Sequence, residues 1–267
     1  GYKEGQNITF DKQNAQADQS NLQNIAHRFV NNKVDLICAI ATPAAQTVAN
    51  VTSDIPIVAT AVTDYKTAKL VKDDAKPGTN VTGTTDMNPV AEQLDLLLKL
   101  VPNAKTIGTI YCSSEVNSQL QVELLKKAAA AKGITVKEAT VSTVNDIQQA
   151  ARSLAGDVQA VYVPTDNVLA SAIPTLISVT EEAKLPVICA EGGMVRAGGL
   201  ATLGVDYYKL GFQTGVMAAD IVSGKSKPAD MAIQAQKEFK PTINLKEAAK
   251  IGLKVPEELL KGAEVIK

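Results

Sequence analysis

A chain of 267 residues with 45% apolar content is long enough for two α/β cores rather than one. Its 27 basic and 28 acidic residues nearly cancel, which argues against a dominantly electrostatic partner such as nucleic acid. A single histidine, no CxxC pair and no apolar run near the roughly 18 residues of a membrane helix argue against a metal centre, a Ser-His triad and a spanning segment.

The chain opens as if in the middle of a fold, so a strand, a helix and a secretion signal are expected upstream. NITFDKQNA reads as a strand, with Ile8 and Phe10 on one face. Residues 19–32 place Leu22, Ile25, Ala26, Phe29 and Val30 at helical spacing, behind a cap at Asp18 or Ser20. VDLICAIA (34–41) is nearly all apolar, as a strand buried on both faces should be. Thr42-Pro43 ends it and a helix follows; IPIVATAV (55–62) is the next buried strand, and KPGTNVTG reads as a turn. Beyond it come a Leu-rich helix (89–101), a strand (106–112), a helix (117–132) closed by Gly133, and a strand over ITVKEATV. A helix (145–155), a strand (159–164), a helix (168–184), strands at 185–191 and 200–206, and a helix from 207 to 223 closed by Gly224 complete the rhythm. About eight strands alternating with helices predict βαβ units and parallel sheets. Cys38, Cys112 and Cys189 sit in apolar runs and read as buried free thiols, and His27 reads as a surface or capping residue.

Strand ends followed by small polar residues recur at IATPAAQ, VATAVTD, IYCSSEVNS, YVPTDN and CAEGGM. Ligands of open α/β sheets bind beyond the carboxyl ends of the strands. Thr42 with Ala44 and Ala45, at a helix start, would cradle a carboxylate. Thr60, Ala61 and Thr63 would form a second wall. The bland alternative is that these hydroxyls cap helices. Asp166 and Glu191 could each pair with an ammonium group, or serve as an N-cap and a loop solvator. Asp206 and Tyr207 read as an N-cap or as a chain crossing. Enzyme readings lack support: GxGxxG, GxxxxGK[ST] and GxSxG are all missing, and Cys112 has no base near it in sequence. No cofactor motif is present.

The phrases GYKEGQNITFDKQNAQADQSNL, ICAIATPAAQTVAN, IPIVATAVTDYKTAKLV, PGTNVTGTTD, VYVPTDNVLAS, EGGMVRAGGLATLGVDYYKLG and PTINLKEAAKIGLKVPEELL resemble the ABC transporter substrate-binding family that includes tryptophan- and phenylalanine-binding lipoproteins. The resemblance runs along the whole chain. It implies the type I periplasmic-binding-protein fold: two Rossmann-like lobes with parallel sheets, linked by a hinge, with a ligand cleft between them. The lobes are expected at 1–84 plus 207–240, lacking its first strand and helix, and at 85–206 plus 241–267. Carried over by motif, ATPAAQ implies Thr42, Ala44 and Ala45, and ATAVTD implies Thr60, Ala61 and Thr63. YCSSEVNS implies Tyr111, Ser113, Ser114 and Asn117, YVPTDN implies Thr165 and Asp166, and CAEGG implies Glu191 and Gly192. The implied activity is extracytoplasmic capture of an amino acid, aromatic or branched aliphatic, for the membrane permease of an ABC importer, with no chemistry on the ligand. Tyr65, Tyr111 and Tyr162 are the aromatic candidates. A ligand-sensing domain of a regulator, which can share this fold, is the competing expectation.

Overall fold

The structure, a computed structural model, describes residues 1–267, and the chain divides into two compact units. The first holds Gly1–Asp86 and Tyr207–Ala235; the second holds Met87–Asp206 and Gln236–Lys267. The chain therefore crosses between them three times, and the last crossing falls at 235/236 rather than at 240. The reason is local: the strand Lys240–Asn244 pairs with a strand of the second unit, which draws the preceding residues there.

In the first unit, in chain order, are α1 (Gln19–Asn31), β1 (Ile37–Ile40), α2 (Thr42–Val51), β2 (Ile57–Val62) and β3 (Val81–Thr85). The second unit follows with α3 (Val90–Leu100), β4 (Thr106–Cys112), α4 (Val116–Ala131), β5 (Thr135–Val141) and α5 (Ile147–Ala155). It continues through β6 (Val161–Val163), α6 (Asn167–Ser171), α7 (Ile173–Glu182), β7 (Val187–Cys189), α8 (Gly192–Arg196) and β8 (Ala201–Gly204). The chain returns to the first unit for α9 (Tyr207–Val222) and β9 (Gln234–Ala235), then ends in the second with β10 (Lys240–Asn244), α10 (Leu245–Lys250), α11 (Glu257–Leu260) and β11 (Glu264–Ile266).

The first sheet runs β1-β2-β3-β9, all parallel. The second runs β11-β10-β8-β7-β6-β4-β5 and is parallel except where β10 meets β8. That antiparallel pair departs from the all-parallel expectation. Parallel neighbours need helical crossovers, and these place helices on both faces. The second unit shows the consequence residue by residue. Ile107, Tyr162 and Ile188 join Leu94, Leu97 and Leu125 in one apolar cluster. Ile110, Val161, Val163 and Val187 join Ile147, Leu169 and Leu176 in another. Alternate residues of one strand thus feed two cores, which is why these strands read as continuous apolar runs.

Four expectations need correction. NITFDKQNA is not a strand: only a Glu4–Ile8 bridge forms, and Phe10 is 51% exposed, because β1, the edge of the sheet, pairs with β2 alone. VDLICAIA is buried on one face only, with Cys38 and Ile40 exposed, so Cys38 is not a buried thiol. The turn expected at KPGTNVTG runs into the start of β3, whose small residues conceal it; its Gly83, at φ 152°, lets Tyr65 and the Ala59 carbonyl approach too closely for any side chain. The helix expected at 168–184 is split at Ala172 (φ −136°, ψ 30°), because Pro174 has no N–H to continue the ladder from α6 into α7. No helix is long and apolar enough to cross a membrane.

Candidate functional site

In the first unit the carboxyl ends of β1 and β2 carry the expected residues. Ala41, between β1 and α2, holds φ 79°, ψ 154° and has no side-chain oxygen to cap the helix. Pro43 lies in the first turn, and the N–H groups of Thr42 and Ala44 have no acceptor within the helix. Thr42 is 2% exposed, and its Oγ1 is buried without a partner. Ala45 is fully buried beneath it. At β2 the ladder with β3 slips between Ala59 and Val62, and Ala61 sits at φ 53°. Tyr65 stabilises the slip: its hydroxyl lies 2.8 Å from the Ala59 carbonyl and 3.1 Å from that of Thr84. Tyr65 is 1% exposed, so it is a structural plug rather than a stacking surface.

Hydroxyls run inward from this tip. Thr60 Oγ1 is 3.0 Å from Thr84 Oγ1, which is 2.8 Å from Thr214 Oγ1 on α9. Thr63 Oγ1 donates to Asp86 Oδ1 at 3.1 Å, and the Tyr207 hydroxyl donates to Asp86 Oδ2 at 2.6 Å. Asp86 thereby ties the chain ends at the first two crossings. On the other side of the crossings, Gln236 clamps Asp206, accepting from its N–H at 2.9 Å and donating to its carbonyl.

In the second unit the ends of β4 and β6 are joined by two buried acids. Asp166, 1% exposed, accepts from Cys112 N at 2.6 Å, Ser118 Oγ at 2.7 Å and Leu169 N at 2.9 Å. Glu115, 4% exposed, accepts from Asn167 N at 3.0 Å, Val168 N at 3.2 Å, Asn167 Nδ2 at 2.7 Å and Asn117 Nδ2 at 2.9 Å. Each acid caps one helix and reaches the start of another. Burial pushes both carboxyls above their ordinary range; Glu115 is raised further by the charge of Asp166, while the N–H and O–H donors pull both back. Thr165 is held by Gln121, whose Oε1 accepts from Thr165 N at 3.0 Å and whose amide donates to Thr165 Oγ1.

The geometry thus brings together Asn117, Thr165 and Asp166, and adds Glu115, Ser118, Gln121 and Asn167, which motif reading did not single out. Their signal was present: a polar run on one face of α4 at positions 117, 118 and 121, where an amphipathic helix should be apolar. The remaining candidates lie apart from this network. Tyr111 points along β5, donating to Glu138 Oε2 at 2.9 Å beside Lys126. Ser113 and Ser114 are exposed on the β4–α4 turn, and Ser114 Oγ lies 3.2 Å from Cys112 Sγ. Glu191 caps its own α8, accepting from Gly193 N and Met194 N, and Gly192 is buried beside the Arg196 guanidinium. Tyr162 is fully buried, its hydroxyl donating to Gln93 Oε1 at 2.7 Å.

The family described as ABC transporter substrate binding protein matches residues 1–267. This chain belongs to that family. As a substrate-binding protein it is 48% identical over 226 residues to a tyrosine-binding protein of Clostridioides difficile, across 85% of this chain and 66% of that protein. Against the solved ABC domain in complex with L-Trp from Streptococcus pneumonia it is 41% identical, with TM-score 0.95, covering 100% of this chain and 90% of that one. A leucine binding protein from Thermotoga maritima is 14% identical at TM-score 0.54, over 81% of this chain and 65% of that one, and shows the shared fold alone. The fold is that of type I periplasmic binding proteins: two α/β units with parallel-dominated sheets.

Proposed function

We propose that this substrate-binding protein captures an aromatic amino acid outside the cytoplasm and delivers it to the membrane permease of an ABC importer, performing no chemistry on it. The observation that carries the reading is the uncapped start of α2. Free N–H groups at Thr42 and Ala44, a positive helix terminus and the buried, unpartnered Thr42 Oγ1 together fit a carboxylate. The named ligands of the relatives, tyrosine and tryptophan, both bear one and are both aromatic. Capture works by hinge closure: contacts made only in the closed state favour it, and the bound form is the one the permease reads. The relatives' family supports an extracytoplasmic place, with a lipid anchor and a removed signal peptide as parts of the same proposal.

A thermal-shift screen against L-tyrosine, L-tryptophan, L-phenylalanine and the branched aliphatic amino acids tests this. At one hundred times its Kd a ligand stabilises by about 2.7 kcal/mol, a clear rise in Tm. Thr42→Val, which removes the hydroxyl and keeps the volume, should weaken binding about tenfold. No shift with any amino acid would sink the reading.

A further inference from the structure

The sheet of the first unit ends on an open edge. β1 pairs with β2 alone, and the Ile37 and Ala41 N–H groups donate across to the Pro56 and Thr60 carbonyls at 3.0 Å. Backbone groups alternate along a strand, so the N–H groups of Cys38 and Ile40 point away from the sheet. Side chains alternate too: Ile37 and Ala39 are buried on one face, while Cys38 and Ile40 are exposed on the other. That exposed face is the one α9 covers elsewhere, since Val58, the register partner of Cys38, packs against Met217 and Ile221 of α9. At about 100° per residue, Leu210, Thr214, Met217 and Ile221 turn toward the sheet, and Gln213 reaches Gln234 of β9 on one flank. The opposite flank, toward β1, carries Gly211, Gly215, Ala218 and Val222. Ala218 and Leu36, the residue before β1, pack against that same Val58 cluster, and the space around Gly211 and Gly215 is open.

Handedness says what fits there. α2 carries the chain from β1 to β2, and α1 packs beside α2, with Gln19 Nε2 donating to Thr47 Oγ1 at 3.2 Å. Crossovers between parallel strands are right-handed, so α1, on the same face as α2, enters β1 from the side away from β2. The segment before α1, around Asn7–Phe10, therefore lies beyond the open edge, yet its one bridge is internal, Glu4 to Ile8. A strand between β1 and this segment would pair with both. To pass from that strand to the segment the chain moves away from β2, and right-handedness then puts the connecting helix on the α9 face. There it would cover Ile40 and lie along the small-residue flank of α9. A strand of a second copy would fill the edge but leave that flank bare.

We propose that this face is the docking site of the polypeptide immediately upstream of Gly1: a strand pairs in parallel with the open edge of β1, and the helix leading from it into Gly1 packs on Gly211, Gly215, Ala218 and Val222 of α9. The helix must precede residues 1–10 directly, and every other strand of the first unit already has its ladder. The length agrees. The match to the solved relative at TM-score 0.95 covers 90% of that chain, and the remaining tenth is what one strand, one helix and their turns need, about 20–30 residues.

Two measurements on the full-length polypeptide, upstream residues included, test this. Cys38 is the one exposed thiol of residues 1–267. In the native full-length protein it should react with a maleimide at least about 100-fold more slowly than after unfolding in denaturant. Gly215→Leu discriminates by sign. In open solvent it should leave stability unchanged or raise it, because leucine suits a helix interior better than glycine. Beneath a packed helix it should lower Tm by about 4 °C or more. Labelling of Cys38 near the unfolded rate, or a Tm unchanged or raised in the variant, would overturn the inference. So would slow labelling found only at concentrations where light scattering shows a dimer, which would give the face to a second copy.

Discussion

The strand tips of the first unit are shaped by backbone, those of the second by buried charge. In the first, two alanines hold positive φ, Gly83 permits a close approach and threonines link β2 to α9. In the second, Glu115 and Asp166 draw helix starts and strand ends onto carboxylates. Asp86 is the first unit's one buried acid, against Glu115, Asp166 and Glu247 in the second. At these tips Thr42 Oγ1 of the first unit and Asn117 Oδ1 of the second are each buried without a partner.

Substitutions can test how separate the two strategies are. Gly83→Ala should be the most damaging, costing about 4 kcal/mol, because the new Cβ meets the Ala59 carbonyl and the Tyr65 hydroxyl at φ 152°. Denaturant unfolding followed by circular dichroism would read it; a loss under about 1 kcal/mol would mean that the β2–β3 slip relaxes freely. Asp166→Ala removes the acceptor from three donors and should cost about 2–4 kcal/mol in the same measurement. Stability equal to wild type would deny the carboxylate its organising role and return it to the ligand.

The third test uses pH. Glu247, 2% exposed, is pushed up to about 7 by burial and by its hydrogen bond to Glu181, against the pull of Lys250; Glu181 itself bonds Lys250 at 2.6 Å. Its folded value exceeds the ordinary 4.5, so the fold favours the protonated form. That stabilisation is complete below about pH 4.5 and is lost as pH rises through 7. Glu247→Gln should therefore flatten the decline in stability between pH 5 and pH 8. An identical slope in both proteins would remove Glu247 as its source. Tyr111→Phe should do least, changing stability and ligand affinity within about 0.5 kcal/mol, because its hydroxyl meets Glu138 on a solvent-facing flank. A large loss of affinity would bring Tyr111 into the site.

Much of this was legible in one dimension. The 106–112 strand was read to the residue, and α1, α3, α4 and α9 to within one, because long periodic segments between Gly and Asp caps signal themselves. β3 was missed because VTGTT holds one large apolar residue, so burial there depends on neighbours. The NITFDKQNA strand was read where none forms, since a strand is a pairing and not a property of one segment. The motif phrases pointed to Thr42, Asn117, Thr165 and Asp166, which lie in the turns and helix starts that follow strands, but not to what each side chain bonds.

Alternation of apolar runs with amphipathic helices was sufficient by itself to determine two α/β units, their parallel sheets and the polar tips, because solvent exclusion acts on local patterns. Which polar atoms are spent and which are left over was decided only by the tertiary structure. Asp166 became a clamp, and the Asn117 amide was fixed with its Oδ1 unpartnered, through partners 48 to 54 residues away in sequence, where no local pattern reaches.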